Sequence, residues 1–317
     1  MGRRGLLAVA IVIVALAGAL LFVFRNPYRG LDFDPFVAQP AFPDGGPTLL
    51  VDQGHHNHHR LSFTYRPFAD LLRSDGFEVE GLREPVTRAA LDRARIFAVL
   101  TASADTETNA ESAFAEAEIA ALVAWVRDGG SLLLVTEHYP FANSVEPLAN
   151  ALGFEVAKGM TFDAAHHRTG TGDDSRLVFS RANGLLADHP ITTGRGGAEA
   201  VRLVETFTGD AVRPMSDRQA VSLLVLGQGA VNRLGTPRVR RSGGDVVVDV
   251  EFGPPRSVAG WSQGLAATYG RGRVVVLAEA AMISAQADGG RLLGMNAPGN
   301  DNRQFLLNTM RWLAHAF

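Results

Sequence analysis

The chain has 317 residues, of which 46% are hydrophobic, and this length can bury a complete core in one large domain or two small ones. Its 30 basic and 33 acidic side chains nearly balance, and no basic stripe with interleaved aromatic residues is present, so nucleic acid is not an expected partner. The absence of cysteine excludes disulfides, thiolate metal ligands and a cysteine nucleophile.

The N-terminus predicts a transmembrane helix. Residues 6–24 form an uncharged apolar run that approaches the roughly 20 residues needed to span a bilayer as a helix. A cleaved signal peptide is the alternative, because Ala15-Leu16-Ala17 resembles a small-residue cleavage site. The apolar run continues beyond this point to Phe24, which favours an uncleaved anchor over residues 1–25, with the lipid bilayer as a partner.

The charges that flank the apolar run predict its orientation. Arg3, Arg4 and the terminal amine precede the run, whereas Arg25 and Arg29 follow it, so the charge difference favours a cytoplasmic N-terminus by a small margin. Residues 26–47 are rich in proline and glycine and predict an extended tether. We therefore expect a single-pass protein of the cell membrane with an extracytoplasmic domain, periplasmic if the source has two membranes.

Residues 48–317 predict one α/β domain. Apolar runs of strand type alternate with helical patterns, which is typical of βαβ units and a mainly parallel sheet. The predicted strands are Thr48–Val51, Phe77–Gly81, Ile96–Leu100, Ser131–Val135, Val221–Leu226, Asp245–Val250 and Arg273–Glu279. The predicted helices are Tyr65–Ser74, Thr87–Ala94, Glu116–Asp128 and Asn302–Phe317. Residues 159–202 lose this rhythm and predict an irregular insertion at the surface or a lid.

A cluster of four histidines follows the first predicted strand, in the order His55-His56-Asn57-His58-His59. Ligand sites of open α/β sheets lie beyond the carboxyl ends of the strands. His55 and His59 are four residues apart, so helical and extended geometry both place them on one side. Imidazoles near carboxylates suit a divalent metal such as Zn, and a solvated polar loop is the alternative, since the spacing is not that of a HExxH motif.

Polar side chains also follow other predicted strands. Glu137 and His138 come after Ser131–Val135 and are candidate catalytic acids or bases, although a strand-end turn in solvent would look the same. Glu279 ends an apolar strand, so it must be paired, solvated in a cleft or protonated. Since the carboxyl ends of parallel strands share one edge, we expect these groups to converge with Asp52 and the histidine cluster.

Five short motifs follow one another along the domain. They are Leu-Leu-Val-Asp-x-x-His from Leu49, Asp-Gly-Phe-Glu-Val from Asp75, Trp-Val-Arg-Asp-Gly-Gly-Ser-Leu-Leu-Leu from Trp125, His-Pro-Ile-Thr from His189 and Gly-Arg-Val-Val-Val from Gly272. This series resembles the class I glutamine amidotransferase-like superfamily and, within it, a membrane-associated bacterial branch of unknown function. The resemblance covers residues 48–317 and implies a flavodoxin-like three-layer α/β sandwich.

The resemblance also bears on the site. Amidotransferases of this superfamily carry a cysteine on a sharp strand-to-helix turn, and Thr136-Glu137-His138 stands at about that place, so glutaminase activity is not expected. The branch carries a segment with histidine and asparagine after the first strand, which favours His55, Asn57 and His59. Fold does not transfer function, so the resemblance implies the place of a pocket and no reaction.

Three functions are compatible with these patterns. The first is a membrane-tethered extracytoplasmic domain that binds a small polar ligand, such as a sugar or a cell-envelope fragment, with Asp52, Asn57 and Glu279 as ligand contacts. The second is a metal-dependent hydrolase in which His55, His59 and a carboxylate hold the metal and Glu137 or His138 is the base. The third is a membrane-bound scaffold, which would expose an apolar patch.

Overall fold

A computed structural model describes residues 33–105, 111–215, 218–242, 245–288 and 290–317 of the chain. The apolar run of residues 6–24 lies outside these described residues. Within the described ranges, no helix has the length and apolar character that a membrane span requires.

Strands and helices alternate through the first half of the described chain, and strands dominate the second half. The strands are β1 (Thr48–Asp52), β2 (Glu78–Leu82), β3 (Ile96–Leu100), β4 (Ser131–Val135), β5 (Phe154–Val156), β6 (Met160–Phe162), β7 (Val178–Ser180), β8 (Leu203–Glu205), β9 (Val212–Pro214), β10 (Val221–Val225), β11 (Val231–Arg233), β12 (Gly235–Ser242), β13 (Asp245–Phe252), β14 (Arg256–Ser257), β15 (Ser262–Tyr269), β16 (Gly272–Leu277), β17 (Ala285–Asp288) and β18 (Arg291–Gly294). The helices are α1 (Arg66–Ser74), α2 (Arg88–Leu91), α3 (Glu116–Arg127), α4 (Phe141–Ala151), α5 (Pro190–Thr193) and α6 (Asn302–Leu313).

The central sheet has the strand order β2-β1-β3-β4-β16-β15-β9-β5, and β10 also pairs with β15. The first five of these strands are parallel to one another, whereas the remaining pairings are antiparallel. The parallel part has the 2-1-3-4-5 order of flavodoxin-like folds, with β16 as its fifth strand. The predicted α/β class with a mainly parallel sheet is therefore confirmed.

Both faces of the parallel strands β1, β3, β4 and β16 are buried, whereas the edge strand β2 is largely exposed. Successive residues of β1 and β3 contribute alternately to two apolar cores, because strand side chains point to opposite faces in turn. Helices α1 and α6 pack in one core, and helices α3 and α4 pack in the other. The molecule is thus a three-layer α/β/α sandwich.

The segment of residues 159–202 is more regular than the sequence predicts. It contains β6, β7 and α5, and it buries Leu177, Phe179 and Ile191 in the core that includes α6. Its strands are only three residues long, which is too short for the alternation of apolar and polar residues to be recognised.

The described part of the Pro/Gly-rich segment lies against the sandwich. Val37 is buried, and its N–H donates to Ser74 Oγ at 2.9 Å. The N–H of Ala41 donates to Asp75 Oδ1 at 2.8 Å, and the buried guanidinium of Arg311 holds the same carboxylate at 2.6 and 2.8 Å. Packing on the domain therefore begins before residue 48, where the sequence predicts its start.

Candidate functional site

A cavity of about 410 Å³ lies at the carboxyl edge of the parallel strands. Its walls include polar side chains that follow β1, β4 and β16, and others that come from the insertion and from the β17–β18 hairpin. The lining residues are His58, His59, Glu137, His138, Phe141, Asp173, Arg176, Phe207, Thr208, Glu279, Ala281, Gln286, Arg291 and Leu293.

The backbone is strained at several points around this edge. Non-glycine residues have positive φ at His56 after β1 (47°), at Thr101 after β3 (51°) and at Glu137 after β4 (61°). Thr208, which lines the cavity, has φ 93°, an unusual value for a β-branched residue. Such strain persists only where the surrounding structure enforces it, and it is concentrated at functional sites.

Glu137 occupies the sharp turn between β4 and α4. Its Oε2 accepts a 2.6 Å hydrogen bond from the N–H of Ala280, which lies just beyond β16. Its Oε1 accepts from the N–H of His138 at 3.1 Å and lies 3.2 Å from His138 Nε2. The left-handed backbone of Glu137 therefore directs a carboxylate across the ends of two neighbouring strands.

Glu279 is the second carboxylate of the cavity, and it is 1% exposed. Its Oε1 accepts from the N–H of Ala281 at 2.6 Å, and its Oε2 accepts from the N–H of Met282 at 2.7 Å. Burial, together with the nearby charge of Glu137, raises the pKa of Glu279 well above its usual range. The cavity therefore combines two neighbouring carboxyl groups, and the pKa of Glu279 is raised.

His58 and His59 form the opposite side of this edge. Their rings lie 4.9 Å apart, and His59 Nδ1 contacts Thr64 Oγ1 at 2.8 Å. Burial lowers the pKa of His58, and the neighbouring His138 lowers it further. Burial lowers the pKa of His59 well below its usual value, with further contributions from His58 and His138. These imidazoles are neutral at pH 7, so each can donate one hydrogen bond and accept one.

Asp52, His55 and Asn57 form a buried network beside the cavity. Asp52 Oδ1 lies 2.8 Å from His55 Nδ1, and Asp52 Oδ2 accepts from Asn57 Nδ2 at 2.8 Å. On its other side, His55 Nε2 contacts Glu118 Oε1 at 3.1 Å. Although burial alone would lower the pKa of His55, the hydrogen bond and charge of Asp52 and the charge of Glu118 raise it. This network holds the loop that carries His58 and His59.

The predicted site residues thus separate into two groups. Glu137, His138, Glu279 and His59 meet at the cavity, as the strand-end argument predicts. Asp52, His55 and Asn57 are not among the lining residues and hydrogen bond to one another instead.

Sequence reasoning misses His58, Arg176 and Phe207 as lining residues. His58 belongs to the recognised cluster, but the family resemblance favours its neighbours. Arg176 and Phe207 lie among short irregular elements, where no periodic pattern indicates which side chains turn inward.

The prediction that His55 and His59 hold a metal together has no support in the described residues. Across those ranges, no group of three or more His, Asp or Glu side chains is arranged to hold a metal ion. The physical reason is that both ring nitrogens of His55 contact carboxylates, while Nδ1 of His59 contacts Thr64. We derive no chemistry through a metal.

Comparison with known proteins supports the fold alone. No family model and no curated protein sequence matches the chain. The mmIFT52 N-terminal domain superposes with a TM-score of 0.59 at 13% identity, covering 84% of this chain and 97% of that domain. A putative ThuA-like protein from Parabacteroides merdae gives a TM-score of 0.42 at 12% identity, covering 84% and 89%. A cytoplasmic protein from Salmonella typhimurium gives a TM-score of 0.42 at 12% identity, covering 84% and 98%.

The TM-score of 0.59 to the mmIFT52 N-terminal domain is high enough to show a shared fold, whereas the identity of 13% says nothing about activity. The scores of 0.42 carry no argument about this chain, and membership of the membrane-associated branch stays a prediction.

Substitution Asp52→Asn tests the buried network. It removes the negative charge beside His55 Nδ1 and one acceptor, so we expect the pKa of His55 to fall and the free energy of unfolding to drop by about 1–3 kcal/mol. NMR titration of His55 and urea unfolding measure the two effects. Glu118→Gln is the matched control and should lower the pKa of His55 less, because the contact is longer at 3.1 Å. An unchanged His55 titration in Asp52→Asn would contradict the network.

The lowered pKa of His59 predicts that the free energy of unfolding depends on pH. This pKa is lowered in the folded state, so the contribution of His59 to stability is fully present above the unfolded value of about 6.5 and is lost as pH falls below that value. We therefore expect His59→Gln to lose less stability than the parent between pH 7.5 and pH 5, by up to about 2 kcal/mol. Urea unfolding at both pH values measures this difference, and parallel curves for the two proteins would disprove the assignment.

Proposed function

We propose that this protein is a ligand-binding domain that takes a small polyhydroxylated molecule, such as a sugar or a sugar-containing fragment of the cell envelope, in the strand-end cavity. The observation that carries this proposal is the composition of the cavity wall. The volume of the cavity, about 410 Å³, lies within the roughly 300–1,000 Å³ of small-molecule sites.

The wall offers hydrogen-bonding groups of both kinds. Neutral imidazoles and the Gln286 side chain each donate and accept, and the carboxyl groups of Glu137 and Glu279 accept. A sugar hydroxyl likewise donates and accepts. The rings of Phe141 and Phe207 supply apolar surface between these polar groups, a mixture typical of small-molecule pockets.

The residues of the turn after β4 support ligand binding without glutaminase activity. The chain has no cysteine, and the side chain on the strained turn after β4 is the carboxylate of Glu137. Both oxygens of this carboxylate already accept N–H bonds from His138 and Ala280. Glu137 is therefore suited to orient a ligand hydroxyl.

We also propose that the domain is extracytoplasmic and tethered to the membrane by residues 6–24. The support is the uncharged apolar run itself, together with Arg3 and Arg4 before it.

A sugar-binding panel tests the proposed ligand class. We expect at least one monosaccharide or cell-wall fragment, at about 100 times its dissociation constant, to raise the free energy of unfolding by about 2.7 kcal/mol. Glu137→Gln keeps the shape of the side chain and removes its charge, so it should weaken binding of that ligand by about tenfold or more. Isothermal titration calorimetry and thermal unfolding measure both effects.

Glu78→Gln is the matched control for this test, because Glu78 begins β2 at the amino edge, opposite the cavity. It should leave the affinity unchanged. If no sugar or envelope fragment in the panel stabilised the protein, the proposed ligand class would be rejected.

A reporter fusion tests the membrane topology. Alkaline phosphatase fused after Phe317 should be active in cells, because the enzyme folds only outside the cytoplasm, and the product should stay in the membrane fraction. A matched fusion that lacks residues 6–24 should be inactive and soluble. Activity of the truncated fusion, or release of the full-length product by salt, would overturn the topology.

A further inference from the structure

Arg176 is a buried cation in the wall of the cavity. Its side chain is 10% exposed, and its guanidinium lies 4.8 Å from the centre of the Phe207 ring. Nε and Nη2 both donate to Glu205 Oε1, at 3.2 and 2.7 Å. Among the described residues, Nη1 of Arg176 donates no hydrogen bond. The guanidinium therefore has donor capacity that the protein does not use.

The charges around Arg176 do not cancel. Glu205 is fully buried and is shared with a second cation, because Arg168 Nη2 lies 3.3 Å from Glu205 Oε2. This oxygen accepts no hydrogen bond from any described residue. Two arginines share one carboxylate, which leaves a net charge of about +1 in this cluster; Arg168 is 29% exposed and meets solvent, whereas Arg176 is 10% exposed and lines the cavity.

The cavity also contains three carboxyl groups, those of Asp173, Glu137 and Glu279. Asp173 is engaged locally, since its Oδ1 accepts from the N–H and the hydroxyl of Ser175. Glu137 and Glu279 follow β4 and β16 and accept backbone N–H bonds there. These carboxyl groups therefore have their own donors, and Arg176 pairs with Glu205.

We propose that the ligand of this site is an acidic sugar whose anionic group, a carboxylate or a phosphate, pairs with Arg176 while its hydroxyls meet the strand-end groups. This inference rests on the proposed function and narrows its ligand class. Arginine is suited to the role because its planar fork matches the oxygens of carboxylate and phosphate. Arg291, on the exposed side of the cavity, adds positive charge along the approach.

The test compares three probes, glucose, glucuronate and glucose 6-phosphate, by isothermal titration calorimetry of the full chain. We expect at least one acidic probe to bind about tenfold tighter than glucose, as a charge-assisted hydrogen bond would provide. Tighter binding of glucuronate assigns a carboxylate, and tighter binding of glucose 6-phosphate assigns a phosphate. The preference should decrease as salt concentration rises.

The decisive variant is the pair Arg176→Gln with Glu205→Gln, which removes both charges and leaves no unpaired buried carboxylate. The ratio of the affinity for the acidic probe to the affinity for glucose should fall to about one. The matched control is Arg213→Gln with Glu155→Gln, an ion pair at 2.6 Å outside the cavity, and it should keep the full preference.

Arg176→Lys supplies a second measurement, because it keeps a cation beside Glu205 and loses the planar fork. We expect this variant to fold and to reduce the preference for the acidic probe over glucose severalfold. Equal affinity of the parent protein for glucose and both acidic probes would overturn this inference and leave sugar binding intact. Failure of all sugars and envelope fragments to bind would overturn the proposed function as well.

Discussion

The site depends on one constraint, the burial of both faces of the four parallel strands β1, β3, β4 and β16. Residues such as Leu132 and Leu133 in β4 point alternately into the two cores, so neither face has room for polar groups. The chain can place polar side chains only where the strands end and the backbone turns away from the sheet. Parallel strands end at a common edge, so the polar groups after β1, β4 and β16 are collected there by the topology itself. The strained backbone at Glu137 and Thr101 belongs to these turns.

Buried carboxylates at this edge are stabilised mainly by backbone N–H groups and imidazole, without an ion pair to lysine or arginine. Glu137 accepts from Ala280, and Glu279 accepts from Ala281 and Met282, so the turn after β16 serves both carboxylates. Asp52 is held in the same manner by His55 and Asn57. These N–H groups and imidazoles hold the carboxyl groups in place. Arg176 and its cluster supply positive charge from the insertion.

The sequence predicts the sheet and the edge of the site well, because both follow from long periodic patterns. The strand Ile96–Leu100 is apolar throughout, Ser131–Val135 is apolar after its first residue, and their position between helical patterns predicts their parallel pairing. The strand-end rule then predicts that Glu137 and Glu279 meet. It does not predict that His55 turns to Asp52 and Glu118 while His58 turns to the cavity, because side-chain direction in a loop depends on local hydrogen bonds that have no period. Arg176 is missed for the same reason.

The turn after β4 places the carboxylate of Glu137 in the wall of the cavity. A strained strand-to-helix turn presents whatever side chain it carries to the strand-end crevice, and here it presents Glu137. A cysteine at such a turn could act as a nucleophile. The carboxylate of Glu137 already accepts hydrogen bonds from Ala280 and His138, so it is suited to binding a ligand. Neutral His58 and His59 across the cavity offer donors and acceptors without adding charge. The guanidinium of Arg176 adds a charged donor from the insertion, and the proposed preference for an acidic sugar rests on this donor.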